Sequence, residues 1–504
     1  MMKWGIRILA GLAVLMAVCA LGTYLFVRGA VVEMFGGNTE TALIDNGPNR
    51  TGRVAILNTN VLSPTADSFR EATTVLIEDG IIAYVGSDAE LPPGVHAIDG
   101  EGMYLVPGFT DSHVHLWKSE NDLLLYLANG VTQVREMHGT DLHLKWRNEI
   151  ENGRLGPDIF VIAAQLATYD FAEGIWVDMT AERNVVRSDA DVRKTVADLT
   201  QAGFDGLKAS SYLSKPAYQS ASAETRSNNA PLVGHIPVAA DLDDLWASNQ
   251  SEVAHVEEFV KALDREFGGY NSKNTEAFLE FVRQRSAEVA SEVAAKDIAV
   301  TTTLDLIQSF AGQMTNIDEE LRNVHLEYVN PGIAEGQAMG WLPHTNRYRI
   351  PEDWKHGDWK ERYTRYWTAY AEAQQILFTE FLRADVNLFA GTDANVPVMV
   401  PGFSMHDEME AMQAAGMSPA KVLYASTTAP AEWMGLNTGK IENGLEANLV
   451  LLRDNPLDDI TATRSIETVL ANGAVLDRNT LDELLQSVLK ANADSRKESI
   501  DPYS

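Results

Sequence analysis

The sequence predicts an α/β chain: a (β/α)8 TIM barrel with a small composite β-sandwich domain, preceded by an N-terminal transmembrane helix or signal sequence. Three observations lead there. Eight apolar, strand-like runs alternate with helical stretches between residues 107 and 436. Two blocks of short strands, 51–106 and 437–480, flank that middle and read as one domain made from both ends of the chain. The chain opens on an uncharged run, residues 8–27, about 20 residues long and sufficient to span a bilayer as a helix.

In chain order, residues 1–28 form the membrane anchor or signal sequence. Ala17-Val18-Cys19 is a poor cleavage site, which favours an anchor over a cleaved signal. Lys3 and Arg7 keep the amino end in the cytoplasm, so the body is expected to be extracytoplasmic. It would be periplasmic or at the cell surface, anchored in the inner membrane or released after signal cleavage. Residues 29–50 are polar, carry Gly and Asn, and read as a linker. In the first strand block, Asp79-Gly80 separates two β-rich runs and signals a hairpin; Asn472-Gly473 does the same in the second. Residues 481–504 are a C-terminal tail.

The eight barrel strands are sought in "MYLVPGFT", "GVTQVREM", "DIFVIAAQ", "DGLKAS", "APLVGHI", "EVAHVE", "DIAVTTTL" and "VNLFAGTD". Helical stretches lie between them, such as "DADVRKTVADLTQAG" and "TRYWTAYAEAQQILFTEFLRA". Ser418-Pro419 has the form of an N-cap followed by proline at the first helical position. Residues 305–362 break the rhythm with Trp341, His344, Arg347, Tyr348, Arg349 and Trp354. An insertion there lands on the carboxyl face of the barrel, as a substrate wall or lid, or as a surface decoration.

Composition narrows the function. Forty basic residues face 71 acidic ones, a formal charge of −31, which repels phosphate backbones and argues against nucleic-acid binding. Cys19 is the only cysteine, so the body has neither a disulfide nor a thiolate metal ligand.

His113 and His115, in "VPGFTDSHVHL", point to one side if they share a strand. By themselves they read either as two metal ligands or as hydrogen-bonded core histidines. His235 in "LVGHIP", His255 in "EVAHVE" and Asp393 in "VNLFAGTD" each follow another strand run. Polar groups buried without partners cost several kcal/mol, so four histidines and an aspartate at one barrel mouth call for a cation. Lys208 in "FDGLKAS" is either a salt-bridge partner or, carboxylated by CO2, an anionic ligand. His138, Tyr169 and Tyr212 follow strands and are candidate substrate contacts. His406 is a weaker one, and His96, His143, His325 and His356 have no supporting context.

The set His113-x-His115, Lys208, His235, His255, Asp393, in that order, resembles the metal-dependent amidohydrolase superfamily. "VPGFTDSHVH" resembles its first-strand motif, and the resemblance runs from about residue 51 to about residue 475. It is nearest the imidazolonepropionase-related branch with a bridging lysine, which is dipeptidase- and prolidase-like. The resemblance implies two divalent metal ions, zinc by the habit of that family, and a CO2-derived carbamate on Lys208. His113, His115 and Asp393 would hold the more buried ion, and His235 and His255 the second. A metal-activated hydroxide would cleave an amide bond of a small-molecule substrate such as a dipeptide or N-acyl amino acid, with Asp393 moving the proton. A lactonase or phosphotriester hydrolase with the same site is one alternative; a non-catalytic binding protein on this scaffold is another. The resemblance departs at "ASSYLS" after Lys208 and at Asn448, where relatives more often carry aspartate.

Overall fold

The computed structural model describes residues 2–44, 50, 52–87 and 90–503. Met1, part of the expected linker (45–49), parts of the first strand block (51, 88–89) and Ser504 of the tail lie outside the described residues.

All eight expected barrel runs form strands: β1 (Phe109–Val114), β2 (Val131–Gly139), β3 (Asp158–Ala167), β4 (Gly206–Ala209), β5 (Leu232–Gly234), β6 (Glu252–Ala254), β7 (Ala299–Thr301) and β8 (Leu388–Phe389). They pair in parallel as two arcs, β1 to β5 in one and β6 to β8 in the other. Single bridges join the arcs, Leu232 with Gln250 and Val114 with Ala394. The Ser112 amide also donates to the Ala390 carbonyl at 2.9 Å. The result is TIM-barrel-like. Strand β2, "VTQVREMHG", is buried throughout although half of it is polar. Its polar side chains therefore need partners inside the ring.

The terminal strand blocks combine into one continuous eight-stranded sheet rather than two separate facing sheets. Tyr104–Pro107 from the first block pairs antiparallel with Leu449–Leu452 from the second. Val54, Ile56, Val75, Leu449 and Leu451 form its apolar core. Asp79, Gly80, Asn472 and Gly473 all have positive φ, as two-residue hairpin turns require.

Helix α1 (Met2–Met34) runs six residues past the expected end of the anchor at 28. The following segment is laid along the barrel. The Lys118 amide donates to the Phe35 carbonyl at 2.9 Å, and Asn121 exchanges hydrogen bonds with the backbone of Ala42 and Glu40. Helix α2 (Phe171–Ala181) follows β3. Helix α3 (Leu304–Thr315) opens the insertion, and the expected long helix is α4 (Trp359–Arg383). Within the insertion Trp341 is fully buried. Helix α5 is Phe403–Ala414, and Ser418 caps the helix Pro419–Ser426 as expected. The tail is a docked helix, α6 (Arg478–Ser495), burying Leu481, Leu484 and Val488.

Glu408 on α5 secures the start of the insertion. Its carboxyl accepts the Leu304 and Asp305 amides, each at 2.9 Å, and the Thr302 hydroxyl. Two of these donors belong to the first turn of α3, where no intrahelical acceptor exists. Burial pushes the carboxyl up to about 8, against the pull of those hydrogen bonds. A carboxyl raised on folding favours the folded state below its unfolded value, and that contribution is lost as pH rises through the folded value. The Tm should therefore fall between about pH 5 and about pH 8, and Glu408→Gln should flatten the fall; an unchanged slope in calorimetry would contradict the assignment.

Candidate metal centre

The interior of the barrel is built on a buried charge pair. The Arg135 guanidinium on β2 donates to Glu252 Oε1 on β6 at 2.8 Å, Thr301 Oγ1 on β7 at 2.9 Å and the Ser112 carbonyl on β1 at 2.6 Å. Glu252 also accepts the Gly234 amide from β5 at 3.3 Å. One residue layer toward the carboxyl ends, the predicted site residues converge.

His113 and His115 point the same way, with ring centroids 5.3 Å apart. Their Nε2 atoms lie 3.4 and 3.1 Å from Asp393 Oδ1. One ligand atom from each of His113, His115 and Asp393 falls within 4.8 Å of the others. Lys208 Nζ is 3.2 Å from His113 Nε2. The His255 ring stacks on His113 at 4.4 Å, with its Nε2 4.0 Å from Asp393 Oδ2. His235 sits 5.7 Å from His255, ring to ring. All six residues thus meet at one place.

Their orientation is enforced from behind. Ser211 Oγ engages His235 Nδ1, and Thr303 Oγ1 engages His255 Nδ1, each at 3.0 Å, which leaves both Nε2 atoms facing inward. The His115 ring stacks on Trp117 at 4.8 Å, and the Trp117 carbonyl is held by His143 Nε2 at 2.8 Å. His143, which had no context in the sequence, therefore supports the site. The backbone is strained at His255, where φ is 90°, a conformation costing about 1–3 kcal/mol in a non-glycine residue. At Gly234 φ is 105°, and a Cβ there would lie 2.6 Å from Lys208 Cγ. Only glycine lets the lysine stem pass.

Burial sets the protonation. It lowers all four histidines, His115 to about 4, so the imidazoles are neutral with free lone pairs. Burial also lowers Lys208 to about 8, against the opposing pull of Asp393, Glu252 and Glu136. Burial works to raise Asp393, but the close contact with His115 and the nearby Lys208 ammonium outweigh it and hold the carboxyl below its usual range. Among the described residues, Asp393 Oδ1 and Nδ1 of His113 and His115 are buried with no aligned hydrogen-bond partner. Neutral imidazoles, an ionised carboxylate and an orphaned oxygen between them fit a divalent cation.

A cavity of about 680 Å³ opens over these groups. His115, Lys208, His235, His255 and Asp393 reach it, together with Trp176 of α2, Met34 of α1 and the Arg347 and Tyr348 side chains of the insertion. The insertion is thus both wall and packed body. His138 lines the cavity, its Nε2 2.8 Å from the Ala181 carbonyl at the end of α2. Tyr212 lines it too. Tyr169 instead accepts a hydrogen bond from Arg183 and does not line the cavity. Arg183 does line it, with its guanidinium over the Tyr212 ring at 5.6 Å and, among the described residues, no carboxylate partner. Sequence reasoning passed over Arg183; its one signal was a cation in the loop after the third strand. His406 bonds Thr463 Oγ1 at 2.9 Å and the Asn129 carbonyl at 3.1 Å, which is a structural role.

Comparison with known proteins places this geometry. Residues 270–476 match the Amidohydrolase family. Ochratoxinase of Aspergillus niger is 21% identical over 465 residues, spanning 87% of this chain and 89% of that protein. Imidazolonepropionase of Salinispora arenicola is 49% identical over 47 residues, so the chain matches only 12% of that protein's length. The crystal structure of a bottromycin amidohydrolase superposes with a TM-score of 0.66 at 22% identity, over 88% of this chain and 91% of that one.

Truncating one member of the buried pair strands the other as an uncompensated charge. Arg135→Met should cost about 3–5 kcal/mol in chemical denaturation, and adding Glu252→Leu should return most of it. A single variant within about 0.5 kcal/mol of the parent would show that the pair is not what holds this layer.

Proposed function

The chain belongs to the metal-dependent amidohydrolase superfamily, and on that premise we propose that it hydrolyses the amide bond of a small carboxylate-bearing substrate, an N-acyl amino acid or a dipeptide. The observation that carries this reading is the convergence of His113, His115, Lys208, His235, His255 and Asp393, from five strands, beneath one ligand-sized cavity.

In this reading His113, His115 and Asp393 would hold one divalent ion, His235 and His255 a second, and Lys208, as a carbamate, would add an anionic ligand; zinc suits the donors. Bound ions supply a water that loses its proton near neutral pH and polarise the scissile carbonyl. The chain's own residues do the rest. Lys208, lowered to about 8, holds an appreciable fraction of neutral amine at physiological pH. Its nitrogen bonds the carbon of CO2 and releases one proton to solvent. The resulting anion replaces an ammonium that would repel cations. Asp393 orients the attacking water, takes its proton and passes it to the leaving nitrogen, so amide and water become carboxylate and amine. Arg183 offers the cavity a cation that has, among the described residues, no carboxylate partner, which favours a substrate carboxylate over a lactone or an aryl phosphotriester. Lys3 and Arg7 before the apolar helix support a body outside the inner membrane.

Exhaustive chelation should abolish turnover, and zinc with bicarbonate should restore it; activity that survives chelation would sink the reading. Metal analysis should find near two ions per chain in the parent and about one or fewer in Lys208→Ala. Asp393→Asn should lower kcat by roughly two to four orders of magnitude. Arg183→Met should raise KM by about 10- to 100-fold for carboxylate-bearing amides and leave their carboxamide analogues unaffected. A panel including lactones and aryl phosphotriesters, if turned over better than amides, would replace the substrate class.

A further inference from the structure

The cavity shares a wall with the apolar helix. The charge-free run of α1 ends at residue 27, and Met34, seven residues on, lines the cavity together with Phe35. At 1.5 Å per residue the apolar run stops about 10 Å from the cavity wall. The join is rigid. Val31 is buried, Arg28 pairs with Glu182 at 3.1 Å, and Lys497 pairs with Glu33. Gly332 packs so close that a Cβ there would lie 2.5 Å from the Glu33 carbonyl oxygen. Above this join α1 is open, with Phe26 77% exposed.

Helix α2 packs against α1 and shows a second apolar face. Phe171 is 75% exposed and Ile175, one turn on, 53%. Trp176, also exposed, reaches the cavity. Large apolar side chains grouped on one exposed helix face mark an interaction surface. Helix α1 is long and apolar enough to cross a membrane, and if it does so the environment that continues past this join is lipid. The formal charge of −31 rules out long-range attraction to anionic headgroups, so contact must come from apolar insertion.

We propose that the cavity mouth lies at the surface of the bilayer that holds α1, with Phe171 and Ile175 dipping into it, and that the substrate is an amphiphilic N-acyl amide with a long acyl chain taken from that bilayer. The substrate half rests on the amide-hydrolase reading above; the surface half does not. Met34, Phe35, Trp176 and Met339 give the acyl chain an apolar flank, and Arg183 receives the polar end.

The test uses the full chain in phosphatidylcholine nanodiscs. Lipids brominated on their acyl chains should quench more fluorescence in the parent than in Trp176→Phe, the difference being Trp176 in contact with lipid. Equal quenching overturns the surface half, whatever the substrate. For the substrate half, N-acetyl and N-hexadecanoyl amino acids are offered in the same discs. Phe171→Gln/Ile175→Gln, which alters only exposed side chains, should slow turnover of the long-chain amide about tenfold and leave the acetyl compound unchanged. Equal effects on both chain lengths, or a parent that prefers the acetyl compound, overturn the bilayer as the source. No turnover of either amide overturns the hydrolase reading and the substrate half with it, and leaves the quenching result to decide the surface on its own.

Discussion

The ion pair between Arg135 and Glu252 is the constraint on which the site depends. Both side chains are fully buried, where an unpaired charge would be ruinous. The pair is kept by completing its hydrogen bonds, and each completion lands one to three residues before a site residue. Ser112 precedes His113, Gly234 precedes His235, Glu252 precedes His255 by three, and Thr301 precedes Thr303, which orients His255. The network therefore sets the mutual register of five strands in the layer beneath the chemistry. Precision at the site comes from that layer, because strands β5 to β8 are only two or three residues long and could not fix it by ladder bonds alone.

Around the site lies a shell of buried acids. Asp111 accepts the Thr392 hydroxyl at 2.6 Å, Glu136 accepts the Leu116 and His138 amides, and Asp122 accepts the Asn395 amide group at 2.7 Å. Burial raises each of these three to about 7. They hold the loops that carry His115 and Asp393, and their negative potential falls on the place where cations are proposed. Cations there would in turn draw the three carboxyls back toward their ordinary range.

The parts of this structure that were legible in the sequence share one cause. A histidine or aspartate closing an apolar strand is expensive unless used, so His113, His115, His235, His255 and Asp393 stood out, and they meet in space. The eight strand runs were legible because parallel strands covered on both faces read as apolar blocks. Arg183 was not legible, because loop residues have no period and its significance lies in having, among the described residues, no carboxylate partner. Residues 35–44 read as a linker because their hold on the barrel is made by backbone groups and by single side chains such as Phe35 on Trp117 and Thr39 on Asn330, which follow no period. The tail helix α6 carries an apolar stripe, but the surface it docks on combines the helix Asp122–Ala128 with the insertion near Tyr328 and Val329 and is set by the tertiary fold. Tyr169 lies beside Tyr212, and its hydroxyl accepts a hydrogen bond from Arg183.

The docking of Met34 and Phe35 on the cavity also bears on what proteolysis of α1 would do. Were α1 slack, a protease could clip it and leave the chamber intact. Here its last turns are clamped by Glu182, Asn330 and Gly332 and form part of the chamber. Clipping upstream of Arg28 would leave the chamber closed, whereas clipping between Arg28 and Phe35 would remove one of its walls. The cut chain would then differ from the uncut one in what it can hold.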